Sequence, residues 1–466
     1  MKYDLVCGME THIELSTLSK LFCKCKVKFG DNQNENCCPI CIGAPGTLPV
    51  LNKEALKFAI KMGLALNCKI NMFSKMERKC YFYPDLSKNF QTSQNDLPLC
   101  SGGYVLLESG KKIRINHIHV EEDAGKIKRE SDGIYIDYNR GGVPLIEIVS
   151  EPDISSADEA EEYIEKLQLF ARYLRISDAR MQEGSIRCDV NISVKAHDSL
   201  ELGTRVEIKN MNSISFISKA ISYEYERQVD SIENGNKIIQ ETRRYNEASG
   251  VTESMREKEN ASDYCYFPEP DLLSICIYDD ELNEVKESMP VLFSSRRERY
   301  ISLGVPEKIA NLIIKYVNVS DFFDKVIEKC DVPDKISSLI VGPIFSFLKT
   351  EVEKEKFNIS ISSEDLSYIG DLISKKKISM SNAQKLVSKC LENDLEVKDE
   401  ISKFLSDNSF DLEKICKEVV SSSEEAINDY RCGKEKALQS VIGKVMSKTR
   451  GCADPKETMD LIKSLI

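Results

Sequence analysis

The chain has 466 residues, enough for two to four domains with real cores. Its formal charge of -12 and pI near 5.2 argue against a protein that coats nucleic acid non-specifically, though they leave room for a local basic patch. No charged-then-apolar leader follows Met1 and no apolar run approaches about 18 residues, so the expectation is a cytoplasmic protein without a membrane span. The 17 Cys then read as reduced thiols or metal ligands, not disulfides.

The first predicted strand covers residues 3–14. A side-chain period of two puts Leu5, Cys7, Met9 and Ile13 on one face and Glu10, His12 and Glu14 on the other. Next come Cys23-Lys-Cys25 and Cys38-Pro-Ile-Cys41, with Cys37 adjacent. Two close pairs across a short loop can converge on one tetrahedral Zn²⁺; the alternative is a set of free thiols. A four-thiolate metal would be structural, because no coordination position stays open for chemistry. A helix is predicted over 52–66.

Residues 78–88 pack Arg78, Lys79 and Lys88 with Tyr81, Phe82 and Tyr83, a composition suited to phosphate or a stacked base, or to a core-edge loop. In His117-Ile-His119-Val-Glu121-Glu122-Asp123, alternation puts His119, Glu121 and Asp123 opposite Ile118 and Val120. Neighbouring carboxylates repel unless a cation sits among them. Oxygen-rich ligation with one imidazole suits Mg²⁺ or Mn²⁺; the alternative is a charged surface turn. A strand over 134–138 leads into Asn139-Arg140-Gly141-Gly142, a candidate anion-binding loop.

A helix over 156–174 carries Ala157, Ala160, Tyr163, Ile164, Leu167 and Ala171 on one stripe. The strand over 185–194 sets Ile186, Cys188, Val190, Ile192 and Val194 against Arg187, Asp189, Asn191 and Ser193. The strand over 204–211 sets Val206 and Ile208 against Arg205, Glu207 and Lys209, and a helix follows over 212–229. A solvated strand face ordinarily carries Thr, Lys and Ser. Three strands with mixed acids and bases facing one way point to a site for a metal and an anionic substrate.

Near residue 290 the composition changes: sixteen of the 22 Gly and twelve of the 17 Cys precede it. Beyond it helical spacing dominates, as in Ile309, Leu312, Ile313 and Tyr316 behind Pro306 at an expected N1 position. The Ser-rich stretch 406–425 reads as a connection. A helix over 431–450 ends at Gly451, and Asp454-Pro455 caps a last one. From 431 onward eight bases (Arg431, Lys434, Lys436, Lys444, Lys448, Arg450, Lys456, Lys463) face four acids (Glu435, Asp454, Glu457, Asp460), a net +4. This is either a solvated helical face or a small RNA-contacting module.

The chain has no G-x-x-x-x-G-K-[ST] and no G-x-G-x-x-G sequence, and no Cys nucleophile paired with a His; Cys188 falls on an apolar face. If ATP is used, Mg²⁺ and scattered Arg and Lys must hold its phosphates. If ammonia is used, another protein must make it.

Several blocks carry a family resemblance: Gly8-Met-Glu-Thr-His12, Cys38-Pro-Ile-Cys41, Arg78-Lys-Cys-Tyr-Phe-Tyr-Pro-Asp85, His119-Val-Glu-Glu-Asp-Ala-Gly-Lys126, Glu183-Gly-Ser-Ile-Arg-Cys-Asp189, Glu207-Ile-Lys-Asn-Met-Asn-Ser213 and Tyr266-Phe-Pro-Glu-Pro-Asp271. In these blocks, and over essentially its whole length, the chain resembles the B subunits of glutamyl/aspartyl-tRNA amidotransferases. The resemblance implies an α+β fold, with a cradle-like, glutamine synthetase-like kinase domain over 1–290. It implies a helical domain over 291–405 and a helical, tRNA-binding tail over 406–466. It implies ATP-dependent phosphorylation of the carboxylate of Glu or Asp mischarged on tRNA, then amidation by ammonia. An amidase subunit supplies that ammonia, and a small third subunit completes a heterotrimer.

The same resemblance makes Glu10, His12, Glu121 and Glu122 Mg²⁺ positions, with Glu207 a further candidate. Periodicity favours Glu121 for the cleft, while a bulge would turn Glu122 inward. Arg78, Lys79, Lys126, Arg187 and Lys209 become candidates for γ-phosphate and acyl-phosphate contacts. Cys23, Cys25, Cys38 and Cys41 match zinc-bearing members. Two residues depart from the family pattern: Cys80 stands where Asn is usual and Cys265 where Arg is usual. A tRNA-binding scaffold without catalysis is the competing reading.

Overall fold

A computed structural model describes residues 2–257, 265–407, 412–431, 436–449 and 455–466. They form two compact units, Met1–Leu292 and Phe293–Ile466. The first mixes strands and helices and the second is helical, as the periodicities require.

The first unit is built on a ten-stranded sheet. Its path runs Val251–Glu257, Glu241–Asn246, Val206–Lys209, Ile186–Ala196, Tyr3–Glu14, Pro144–Ser150, Lys112–Glu122, Cys100–Ser101, Lys69–Ile70, with Tyr104–Leu106 also pairing Lys112–Glu122. Neighbours on this path are antiparallel except Val206–Lys209 with Glu241–Asn246, which run parallel. Register explains why the pattern matters. Ile13 lies opposite both Ile186 and Ile146, and Ile148 opposite Ile118, so one face of the central strands is largely apolar, with the buried Thr11 among them. The helices Lys53–Ala65, Ala157–Tyr173 and Ile214–Glu233 contribute Ala59, Tyr163, Ile164, Leu167, Ile217 and Ile221 to the same buried core. Each helix starts where a side chain satisfies a free N–H: Asn52 accepts from Glu54 and Ala55, Ser156 from Glu159, Ser213 from Phe216.

A smaller three-stranded sheet, in the order Cys265–Pro268, Glu77–Cys80, Phe90–Ser93, belongs to the same unit. A hairpin joins Lys126–Glu130 to Gly133–Asp137.

In the second unit Pro306 is the cap of the helix Glu307–Ile314 and not its first turn, and Leu312 is 42% exposed. Tyr316 belongs to the next boundary, capping Val317–Ile327. A Cβ on Gly370 would stand 2.3 Å from Cys330 Sγ, so the helix Ser363–Ser374 packs this closely only with glycine there. The stretch expected to be a connection contains the helix Leu412–Ser421, whose Cys416 and Val419 are buried with Leu438, Val441, Val445 and Ile462. The helix expected over 431–450 is described as Glu424–Arg431 and Lys436–Lys448. Gly433, Lys434, Glu435, Arg450, Gly451 and Asp454 lie outside the described residues. No helix among the described residues is long and apolar enough to cross a membrane.

Candidate active site

The face of the large sheet opposite the hydrocarbon carries ordered rows of ionisable groups. His119, Glu147, His12 and Arg187 lie side by side across four strands, because each is the register partner of the next. One step along, His117, Val149, Glu10 and Asp189 form a second row. Gly8, Asn191, Glu207 and Thr242 form a third row. Glu121 enters beside the first row. These groups are not a solvated surface: Glu121 is 2% exposed, Glu207 5% and His119 6%.

Two clusters of donors result. In the first, His12 Nε2 lies 3.5 Å from Glu121 and 3.2 Å from Glu147, while His119 Nε2 lies 3.5 and 3.3 Å from the same two carboxylates. Burial alone would lower both imidazoles. Glu147 and Glu121 outweigh it, raising His12 and taking His119 up to about 10. Burial likewise opposes ionisation of Glu147, yet His119 and His12 hold it well below the ordinary carboxylate range. His117, half-buried and beside His119, falls to about 4. In the second cluster Glu10, Asp189 and Glu207 converge. Burial, then Glu147, raises Glu10. Asn191 donates to Glu10 at 2.8 Å, Thr242 donates to Glu207 at 2.8 Å, and Lys209 pairs with Asp189 and lies 3.4 Å from Glu207.

The ligand atoms of His12, Glu121 and Glu147 lie within 4.8 Å of one another, and so do those of Glu10, Asp189 and Glu207. Two buried polar atoms on this face, His119 Nδ1 and Asn191 Oδ1, have no hydrogen-bond partner among the described residues. Carboxylate-rich sets with little imidazole fit a hard divalent cation such as Mg²⁺ or Mn²⁺.

The register also separates Glu121 from Glu122. Glu121 pairs with Leu145 and Glu122 with Pro144 without a shift; the irregularity in this strand pair falls at Val149/Ser150. Glu121 therefore faces the rows, where Ser93 donates to it at 3.2 Å. Glu122 turns away, to Lys88 and the Thr92 N–H. There it lines a cavity of about 180 Å³ with Lys20, Cys41, Arg78, Lys88 and Glu269.

The expected cationic residues divide in the same way. Arg187 and Lys209 belong to the rows; Arg187 donates to Asp123 at 2.6 Å and lies 4.0 Å from Glu14. Glu14, buried near Asp123, rises to about 8. Arg78 instead forms a two-pronged pair with Glu269, both contacts 2.7 Å, and sits over the Phe90 ring. Lys79 is its strand neighbour, and Lys126 stands exposed opposite Asp137 in the hairpin. The Gly142 loop is not an open anion nest. The Gly142 N–H donates to the Asp123 carbonyl and Arg140 to the carbonyls of Ala124 and Gly125.

The four cysteines Cys23, Cys25, Cys38 and Cys41 bring their sulfurs within 4.8 Å of one another; Cys37 turns instead to Asn34. Tetrahedral Zn²⁺ with Zn–S near 2.3 Å places sulfurs about 3.8 Å apart, so the set fits a structural metal. A hydrogen bond from Cys23 holds the Cys41 thiol well below its ordinary range. The buried Lys20 ammonium adds to this at 3.7 Å from the sulfur. Sequence reasoning did not single out Glu147 or Lys20, while Lys88 came from the basic and aromatic segment it did mark. Glu147 did leave a signal, as the single acid inside the apolar run 144–149.

Residues 5–283 match the model of the GatB/GatE catalytic domain, and residues 321–466 match that of the GatB domain. The chain is 47% identical to the B subunit of the aspartyl/glutamyl-tRNA(Asn/Gln) amidotransferase from Thermoanaerobacter pseudethanolicus, over 99% of both chains. It is 44% identical to the protein of that name from Caldanaerobacter subterraneus, again over 99% of both. With the one from Ruminiclostridium cellulolyticum it shares 43%, over all of this chain and 97% of the other. The chain belongs to the family of aspartyl/glutamyl-tRNA(Asn/Gln) amidotransferase B subunits.

Proposed function

We propose that this chain is the kinase and amide-forming subunit of a tRNA-dependent amidotransferase. It uses ATP to phosphorylate the side-chain carboxylate of Glu-tRNA(Gln), Asp-tRNA(Asn) or both, and lets ammonia displace the phosphate. The observation that carries this reading is the buried face where two donor clusters lie beside Arg187 and Lys209. A scaffold that only presents tRNA has no use for so many buried like charges. In this reading the sheet is the floor of a glutamine synthetase-like cradle over residues 1–290. The helices of 291–405 and the basic tail of 406–466 serve tRNA. The partners are an amidase subunit that supplies ammonia and a small third subunit.

Glu10, Asp189 and Glu207 would hold one Mg²⁺, and His12, Glu121 and Glu147 a second. Such ions neutralise phosphate charge in phosphoryl transfer. Lys209 and Arg187, fixed by Asp189 and Asp123, are placed to meet phosphate oxygens as the γ-phosphoryl moves to the carboxylate and later leaves. Asn191 and Thr242 hold Glu10 and Glu207 in one orientation. Arg78, Lys79, Lys126 and Glu122 come from the neighbouring cavity and hairpin, and serve the approach of substrate to this face. The four-cysteine site contributes folding energy through Zn²⁺ and no chemistry.

The test is an amidation assay with both mischarged tRNAs, with and without the amidase partner. The reading expects ATP hydrolysis that depends on mischarged tRNA, and amidation from free ammonia when the amidase is absent. ATP turnover indifferent to mischarged tRNA contradicts it.

A further inference from the structure

Cys80 and Cys265 are directly paired residues of the antiparallel strands Glu77–Cys80 and Cys265–Pro268. Residues paired in this way point their side chains to the same face of the sheet, with Cα atoms about 4.5–5.5 Å apart. A disulfide spans Cα separations of about 4.4–6.8 Å. Strand register alone thus places their Cα atoms in the range that a disulfide spans. Both are free; Cys265 is exposed and Cys80 half-buried. Burial, then the neighbouring Cys265, raises the Cys80 thiol. Among the described residues, Cys7, Cys100 and Cys188 are buried in the core, and Cys23, Cys25, Cys38 and Cys41 converge on one another.

We propose that Cys80 and Cys265 form a dithiol site that a small-molecule disulfide converts into a cross-strand disulfide. The exposed Cys265 thiolate attacks one sulfur of the small disulfide, forms a mixed disulfide and releases one small thiol. The Cys80 thiolate then attacks Cys265 Sγ and releases the second. Two protein thiols lose two electrons and two protons; the small disulfide gains them and leaves as two thiols. The new bond fastens the strand pair that carries Arg78 and Lys79. In that pair Phe267 lies opposite Arg78 and Tyr266 opposite Lys79, and the chain continues to Glu269, the partner of Arg78. The site is independent of the tRNA reaction, so its test does not stand or fall with the proposed function.

The experiment exposes the full-length, metal-loaded chain to oxidised glutathione. The chain is then denatured, its remaining thiols are alkylated, and the digest is mapped by mass spectrometry. The expected result is a Cys80–Cys265 linked peptide pair in the majority of chains, lighter than the reduced pair by two hydrogens and reversed by dithiothreitol. Hydrogen exchange at residues 265–268 should slow in the oxidised chain. Cys265→Ser, at an exposed position, should abolish both changes even if Cys80→Ser fails to fold. Recovery of Cys265 as a stable glutathione adduct with Cys80 alkylated overturns the proposal, as does recovery of both thiols alkylated.

Discussion

Glu147 stands directly across the sheet from His12, with 3.2 Å between its Oε2 and the imidazole Nε2. The same oxygen lies 3.3 Å from His119, so one carboxylate orients two rings. Glu147 is therefore the hinge of the first donor cluster. Glu147→Gln keeps the shape and removes the charge. It should weaken Mn²⁺ binding to the chain by about tenfold or more, the scale for losing a residue that ligates or orients ligands. Titration followed by Mn²⁺ paramagnetic resonance measures this. Unchanged affinity would remove Glu147 from the metal account.

The cysteine site makes a separate prediction. Purified protein should contain about one equivalent of zinc. Cys38→Ser should lose it and melt earlier, because metal-binding energy is folding energy in such sites. Metal analysis and a thermal melt on the same preparation check both. A metal-free wild-type chain as stable as one supplied with zinc would leave four ordinary thiols.

Asp153 accepts three hydrogen bonds from Arg114: one from its backbone N–H at 3.0 Å and two from its guanidinium at 2.8 Å. Hydrogen bonding to Arg114 holds the Asp153 carboxyl below its ordinary value. A depressed folded-state pKa gives stability that is present above the ordinary carboxylate range and lost as pH falls through the folded value. Asp153→Asn should destabilise the chain at neutral pH, by an amount that solvent around the exposed Arg114 keeps small. The difference from wild type should shrink as pH falls through the folded carboxyl's range. Urea unfolding at pH 7 and pH 3 tests this; an equal deficit at both would assign the loss to packing.

Period-two alternation made the charged side of Tyr3–Glu14 and Ile186–Ala196 legible, because each strand has one apolar and one charged face. It could not show that Pro144–Ser150 lies between Tyr3–Glu14 and Lys112–Glu122. That order depends on pairings far apart in sequence, and it is what brings Glu147 to His12 and His119. Glu147 was hidden for a local reason too: Leu145, Ile146 and Ile148 are all buried, so the strand reads as a plain apolar run. The helix Leu412–Ser421 was obscured by flanking serines. Its Leu412, Ile415, Cys416 and Val419 nevertheless keep helical spacing and pack on Val441 and Val445. The Cys80–Cys265 pairing had no sequence signal beyond two unusual residues, since register is set by the whole sheet.

The basic tail gives a prediction about binding. Its helices have their own core, so a chain ending after Asp407 should keep the first unit folded. If the tail grips tRNA through its charges, this truncation should weaken tRNA binding and flatten its salt dependence. Filter binding across a salt series measures both. Binding equal to the full chain at every salt concentration would make the tail's charge mere solubilising surface.

Phosphoryl transfer on the charged sheet face is tested most directly at Glu10. This residue belongs to the second cluster, paired with Asp189 on the neighbouring strand and held by Asn191. Glu10→Gln removes a charge without changing shape. In the assembled enzyme with mischarged tRNA, the account predicts that this variant loses tRNA-dependent ATP hydrolysis by about a hundredfold or more, the scale for removing a group that stabilises transition-state charge, while binding tRNA nearly as well as wild type. Normal tRNA-dependent hydrolysis in Glu10→Gln would contradict it.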